Sequence, residues 1–279
     1  MMVTVLGAAG CGGPAPGGTG GGAGAGGVPV PPTTVAALRA SPPKGNPIVY
    51  LKNVVVVARV AISSAGELWV QDPGGGLGAG ILIYCDYSGT VQPCSYDRAA
   101  WKQFRRGQVI DVFGVFHKRT ATGAPSTSMQ LRIESPAITV SASTMDPVAT
   151  PVSAADVEMN QVTSEMVKGS YVSIAGPFTV SSLTPAEFLT TCPGAATGTA
   201  ADHVVGFEGK VGPAVLAVGL NLYETLSYCV QDTCANAACT NPITTRTFSR
   251  VLGIVEPRVS PAGATFMRVS PTVDADLVP

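Results

Sequence analysis

The sequence predicts an all-β protein built as two tandem five-stranded Greek-key barrels, the first with a short helix between strands three and four. Three observations predict it. Residues 47–134 read as strand, strand, Gly-rich turn, strand, short helix, strand, strand. Residues 168–271 repeat that order more loosely. Both segments consist of short β-branched and aromatic runs punctuated by Gly, Pro, Asn and Asp, which is how strands and their turns are written. A single β-sandwich spanning both segments is the rival architecture.

In the first copy, residues 47–61 form the opening strand. The run from Ile48 to Val57 is rich in β-branched side chains and alternates poorly, as expected of a strand buried on both faces where it bends through a barrel corner. Residues 67–72 give strand two, 73–80 the Gly-rich turn and 81–85 strand three. Residues 98–104 give the helix, with Trp101 and Phe104 three apart on one face to plug the barrel. Strand four, 108–118, carries Gly114 in its middle, which predicts a bulge or a close approach. Strand five, 129–134, sends Met129, Leu131 and Ile133 inward and Gln130, Arg132 and Glu134 outward. Five strands in this order with one helix before the fourth make an OB-fold, a barrel that binds ligands on one face.

The second copy opens over 168–176, has a middle strand at 214–222, a fourth at 247–255 and a fifth at 264–271. Cys229, Cys234 and Cys239 stand where the first copy has its helix, so disulfides would replace the helical plug. Three regions follow: a leader over 1–34, a first domain over 35–142 and a second over 143–279. Residues 12–27 are nearly all Gly, Ala and Pro, too poor in apolar side chains to fold, and read as a flexible tether. Residues 142–154, rich in Ser, Thr, Ala and Pro, connect the domains. No apolar run is long enough to predict a transmembrane helix.

The net charge of −1 conceals an asymmetry. From Val35 to Ala142 there are eleven Lys/Arg against six Asp/Glu, a net +5; from Ser143 to Pro279 there are six against twelve, a net −6. Barrels of opposite sign could face one another, or the basic one could take an anionic ligand.

Of the seven cysteines, Cys11 follows Ala8-Ala9-Gly10. This tetrad resembles the lipobox of bacterial lipoproteins, and the Gly-rich tether after it fits the resemblance. It implies lipidation at Cys11, a membrane anchor, and location in the bacterial cell envelope or secretion. Only ten residues precede Cys11, with no Lys or Arg among them, shorter than a signal peptide requires, which predicts a start further upstream. Lipid at Cys11 leaves six cysteines for three disulfides in an oxidising compartment. Cys85 and Cys94 close a short loop after strand three and are expected to pair. Among Cys192, Cys229, Cys234 and Cys239 three connectivities stay open, with a four-thiolate zinc site as the alternative.

A second resemblance rests on Glu67-Leu68-Trp69-Val70-Gln71-Asp72, Gly74-Gly75-Gly76 and Ile81-Leu82-Ile83-Tyr84, with Arg106-Gly107-Gln108-Val109-Ile110-Asp111-Val112-Phe113-Gly114 following. These segments resemble the tandem OB-fold modules of bacterial secreted proteins and lipoproteins, of the type found beside extracellular nuclease domains. The likeness covers about ninety residues and implies the fold, an exported setting and a nucleic-acid ligand.

Catalytic groups are sparse. The two histidines, His117 and His203, fall in different domains; His117, beside Lys118 and Arg119, reads as a solvated rim residue, and His203, near Asp202, as a loop contact. No nucleophile elbow occurs, and Gly20–Gly27 matches a dinucleotide fingerprint by composition alone. Asp274 and Asp276 make a weak calcium pair. Hence neither enzyme activity nor a cofactor or metal is expected. The expected ligand surface uses Tyr50, Lys52, Trp69, Gln71, Tyr84 and Arg132, with Trp69 and Gln71 outward if Leu68 and Val70 face the core. Aromatic faces interleaved with cations suit single-stranded nucleic acid; a polysaccharide or an envelope protein are the other partners. The contrasting expectation is a structural accessory without a ligand site, in which Trp69 is core.

Overall fold

The computed structural model describes residues 29–61, 65–87, 94–119, 130–159, 166–182, 206–220, 228–229, 241–243, 246–259 and 265–279. The first sheet follows from one long strand. A leading strand β1 (Pro32–Thr33) and a short helix α1 (Val35–Ala40) precede β2 (Ile48–Ala61), and β3 (Ala65–Gln71) and β4 (Gly80–Asp86) follow. Helix α2 (Arg98–Trp101) leads into β5 (Gln108–Arg119) and β6 (Gln130–Thr144). Strand β2 pairs with β5 through its first half and with β3 through its second. Register shifts between Leu51 and Val54 and between Val56 and Ala58 bend it through the corner. Asn53, at φ 57, makes the first bend, a left-handed conformation that asparagine tolerates better than most residues. The ring β2-β3-β4-β6-β5 closes on itself. All its neighbours are antiparallel except β4 and β6; parallel neighbours need a crossover, which α2 and β5 supply.

Inside the barrel pack Leu51, Val54, Val56, Leu68, Val70, Ile81, Ile83, Ile110, Val112, Phe116 and Ile133. Trp101 and Phe104 close one end, their rings edge-to-face at 5.3 Å, and the Trp101 indole N–H donates to the Glu67 carbonyl at 3.2 Å. Cys85 and Cys94 are disulfide-bonded, with Cα atoms 5.3 Å apart. Gly114 sits at a register shift between Phe113 and Val115, and a Cβ there would lie 2.3 Å from Ile133 Cγ2. Strand five runs well past Glu134, to Thr144. The same irregularity lets it pass Pro136, which has no N–H to give a ladder.

The second sheet restates this plan. After β7 (Thr150–Val152) and a 3-10 turn (Ala154–Val157) come β8 (Tyr171–Ser182), β9 (Gly206–Val211) and β10 (Ala214–Gly219). Two short strands, β11 (Tyr228–Cys229) and β12 (Asn241–Pro242), pair with each other where the first barrel has α2. Then come β13 (Thr247–Val259), β14 (Thr265–Ser270), a 3-10 turn (Asp274–Asp276) and β15 (Leu277–Val278). The ring β8-β9-β10-β14-β13 closes, with β10 and β14 as its parallel pair. Both barrels are also led by a short strand parallel to their first, β1 on β2 and β7 on β8. The fold is thus two tandem OB-like barrels. Strand β9 escapes a reading from sequence because two of its six residues are glycine; Gly209 leaves room for the Phe178 ring, 2.1 Å from where its Cβ would be. No helix among the described residues is long and apolar enough to cross a membrane.

The barrels share a seam with an apolar centre. Val57, Ala58, Val60, Trp69 and Leu82 of the first pack against Tyr171 and Ile254 of the second, with Ala149 and Leu252 beside them. The Gly-rich turn docks here. Gly78 N–H donates to the Met166 carbonyl at 2.7 Å and the Ser170 hydroxyl at 3.0 Å. A Cβ on Gly80 would stand 1.9 Å from the Gly169 carbonyl oxygen. Arg106 of the first barrel bridges to the second, donating to the Thr272 hydroxyl at 2.5 Å and the Tyr171 hydroxyl at 2.8 Å. Tyr171 in turn donates to Asp276 at 2.6 Å. Burial and the Asp276 carboxylate push the Tyr171 phenol well above its usual range.

Candidate ligand-binding surface

Side-chain parity points the six expected residues outward from the barrel, Trp69, Tyr84 and Arg132 on the β3–β4–β6 face and Tyr50 on the β2–β5 face, but what covers them differs. Leu68 and Val70 do face the core, so Trp69 and Gln71 point away from it. They are nevertheless covered. Trp69 is 2% exposed beneath the second barrel, and Gln71, also 2% exposed, donates to the Val148 carbonyl at 3.2 Å. The expectation that these two present a solvent-facing platform is therefore corrected: the second domain occupies the face. The Trp69 indole N–H has no hydrogen-bond partner among the described residues.

Tyr84 and Arg132 meet on the β4–β6 wall. The Arg132 guanidinium lies over the Tyr84 ring at 4.3 Å and pairs with Glu134 at 2.5 Å. Burial raises the Tyr84 phenol pKa, and the Arg132 charge opposes the rise. Glu134 also takes His117 Nε2 at 3.3 Å. His117 is 6% exposed and Glu134 4%, so neither the solvated rim expected of His117 nor an open outward position for Glu134 holds. Cross-strand register explains why: His117 is opposite Arg132, and Tyr84 is opposite Glu134, on one shared outer face.

Tyr50 and Lys52 lie on the β2–β5–β6 wall with a residue that the sequence reading did not single out. Phe113, opposite Tyr50 on β5, is 41% exposed. The two rings stack with centroids 4.2 Å apart and planes within 8°. The Tyr50 hydroxyl donates to Asp111 Oδ2 at 2.9 Å, while Asp111 Oδ1 accepts the Asn53 backbone N–H at 2.8 Å. That hydrogen bond to Asp111, before any other cause, raises the Tyr50 pKa and fixes the ring. Ile48, 60% exposed, extends the wall along β2, and Lys52 is exposed at its other end. The wall thus offers a braced aromatic stack beside a cation. A signal for Phe113 was present in the sequence: Asp111 marks the outward parity of β5, and Phe113 shares it.

Cys11, Cys192, Cys234, Cys239 and His203 lie outside the described residues, and Cys229 is described for its backbone alone, in β11. Among the described residues no group of three or more His, Cys, Asp or Glu is gathered as a metal-ligand set.

No protein-family model matches the chain, and no curated protein matches it. Among solved structures, one chain that aligns belongs to a replication protein A heterotrimer bound to single-stranded DNA, at 12% identity and a TM-score of 0.29. The alignment covers 64% of this chain and 39% of that one, so this chain spans about two fifths of the length of the chain it matches.

Proposed function

We propose that the protein is a non-catalytic binding module that holds an extended polymer, single-stranded nucleic acid above others, on the first barrel. The observation that carries this reading is the coplanar Tyr50–Phe113 pair, Phe113 exposed and Tyr50 half-buried, with the exposed Lys52 two residues along β2. A preformed flat ring costs little entropy to use, and base stacking on such rings contributes about 1–3 kcal/mol per base. The +5 balance of residues 35–142 favours a polyanion. Within the same reading the protein is an envelope lipoprotein anchored at Cys11. The lipobox-like tetrad, the Gly-rich leader and the Cys85–Cys94 disulfide, a bond of oxidising compartments, support that setting.

The test is fluorescence anisotropy of the full chain with a labelled oligo-dT strand at two salt concentrations. Binding is expected to weaken with salt, and Phe113→Ala to cost about 1–3 kcal/mol of affinity, roughly 5- to 150-fold. A flat titration at low salt refutes nucleic acid; a hit on a polysaccharide array would transfer the same rings to sugar recognition. Radiolabelled palmitate incorporated by the wild type and not by Cys11→Ala checks the anchor, and equal labelling of the two would refute it.

A further inference from the structure

The Tyr50–Phe113 stack stops one strand short. Strands β2, β5 and β6 lie side by side, with Tyr50 opposite Phe113 and Phe113 opposite Ala137. Directly opposed residues share a face of the sheet; the next rank, Leu51, Val112 and Ile138, points the other way, into the core or against it. Tyr50, Phe113 and Ala137 therefore form one row across the outer wall. The first two carry rings in face-to-face contact, and the third carries a methyl group and is exposed. Adjacent strands are about 4.8 Å apart, close to the 4.2 Å between the two ring centroids. The row thus has the spacing of a stack, and a ring above Ala137 would be its third member.

Resting on the proposed nucleic-acid reading, we propose that the space over Ala137 is a subsite for one unpaired nucleobase, stacked on the free face of Phe113 with the Ala137 methyl as its floor. Two features choose a base over another flat group. Coplanarity within 8° presents a flat aromatic face parallel to the incoming ring, and the basic balance of this barrel suits the phosphates on either side. Both edge-facing backbone groups of Ile138, the next residue, are engaged by the Tyr96 hydroxyl, its N–H at 2.9 Å and its carbonyl at 3.1 Å. That clamp holds the β6 backbone at the subsite without occupying the outer face. Tyr50 is a positioning residue: it braces Phe113 and is itself held by Asp111.

The decisive variant fills the subsite from within. In Ala137→Phe the chain's own ring takes the third place, and Ala137→Val fills part of it with a side chain well suited to an exposed strand. Both are to be measured in the full chain by anisotropy with labelled oligo-dT, alongside thermal melting. Wild type should bind, Ala137→Phe should lose tenfold or more, and Ala137→Val should fall between, with melting unchanged or raised. If wild type binds and folded Ala137→Phe or Ala137→Val binds equally well, the subsite is refuted and the polymer-binding reading stands. If wild type does not bind, that reading fails and the subsite with it. Loss of a polysaccharide signal, instead of a DNA signal, in Ala137→Phe would overturn the base as occupant.

Discussion

Trp69→Ala separates a ligand platform from a structural wedge. The indole is 2% exposed and packs in the seam with Val57, Ala58, Val60 and Leu82 on its own side and Tyr171 and Ile254 on the other. Removing so large a buried side chain from a site walled by two β-barrels leaves a cavity that neither sheet can collapse into. Such truncations cost about 3–5 kcal/mol. For a folded region of this size each kcal/mol moves Tm by about 2–4 °C, so a fall of roughly 6–20 °C is expected in a melting scan. Trp69→Phe should cost clearly less. It keeps most of the apolar bulk, and the N–H that it deletes has no hydrogen-bond partner among the described residues. Oligo-dT affinity of the folded Trp69→Ala protein, measured well below its Tm, should match wild type because Phe113 lies on another wall. Unchanged melting with lost binding would refute the seam and return Trp69 to the role of a platform.

Two further perturbations address stability. Glu256 is fully buried, and burial by itself opposes its ionisation, yet Arg258 and Arg268 outweigh that cost and hold its carboxyl at about 2. A depressed carboxyl stabilises the fold above its unfolded pKa, near 4.5, and loses that contribution as pH falls toward 2. Wild type should lose about 2 kcal/mol of denaturant-measured stability between pH 6 and pH 3 through this group; Glu256→Gln, less stable at neutral pH because it strands Arg268, should lack that component, and an identical pH slope would count against it. Cys94→Ser opens a loop closed across nine residues, for which chain entropy gives about 2–3 kcal/mol. Urea unfolding should show a loss of that order, absent when wild type and variant are compared under reductant; equal stabilities without reductant would contradict it.

Much of the first barrel was legible because its signals are local. The β-branched run of β2, the clean alternation of Leu131 and Ile133 and the pairing of Trp101 with Phe104 depend on neighbours in sequence. So does the Cys85–Cys94 bridge, with its short separation. Reading stopped early at Glu134 because Ser135-Pro136 looks like a strand end, whereas the strand absorbs Pro136 at an irregularity and continues to Thr144. It passed over β9 because the glycine that makes room for Phe178 also erases the strand pattern. The polar partner of His117 was hidden for a related reason: Glu134 is seventeen residues away and becomes its neighbour through the β5–β6 register.

The candidate site was less legible, and one motif shows why. The Gly-rich turn over 73–80 beside Trp69 allows a close backbone approach, since glycine has no Cβ, without saying to what. Close approach is indeed its use, but the approaching group is the chain itself: the Gly169 carbonyl would meet a Cβ on Gly80 at 1.9 Å, and Gly78 donates to Met166 and Ser170. Glycine density reports a tight contact without naming the other side. Once the second barrel is that other side, the β3–β4 face around Trp69 is closed, while the β2–β5–β6 wall keeps the Phe113 ring exposed. That is the face on which a polar bond, Tyr50 to Asp111, braces a half-buried ring against the exposed ring of Phe113. Packing against the second barrel accounts for the burial of Trp69 but not for the exposed Phe113 ring, so the proposed binding role falls to Phe113 and the stabilising one to Trp69.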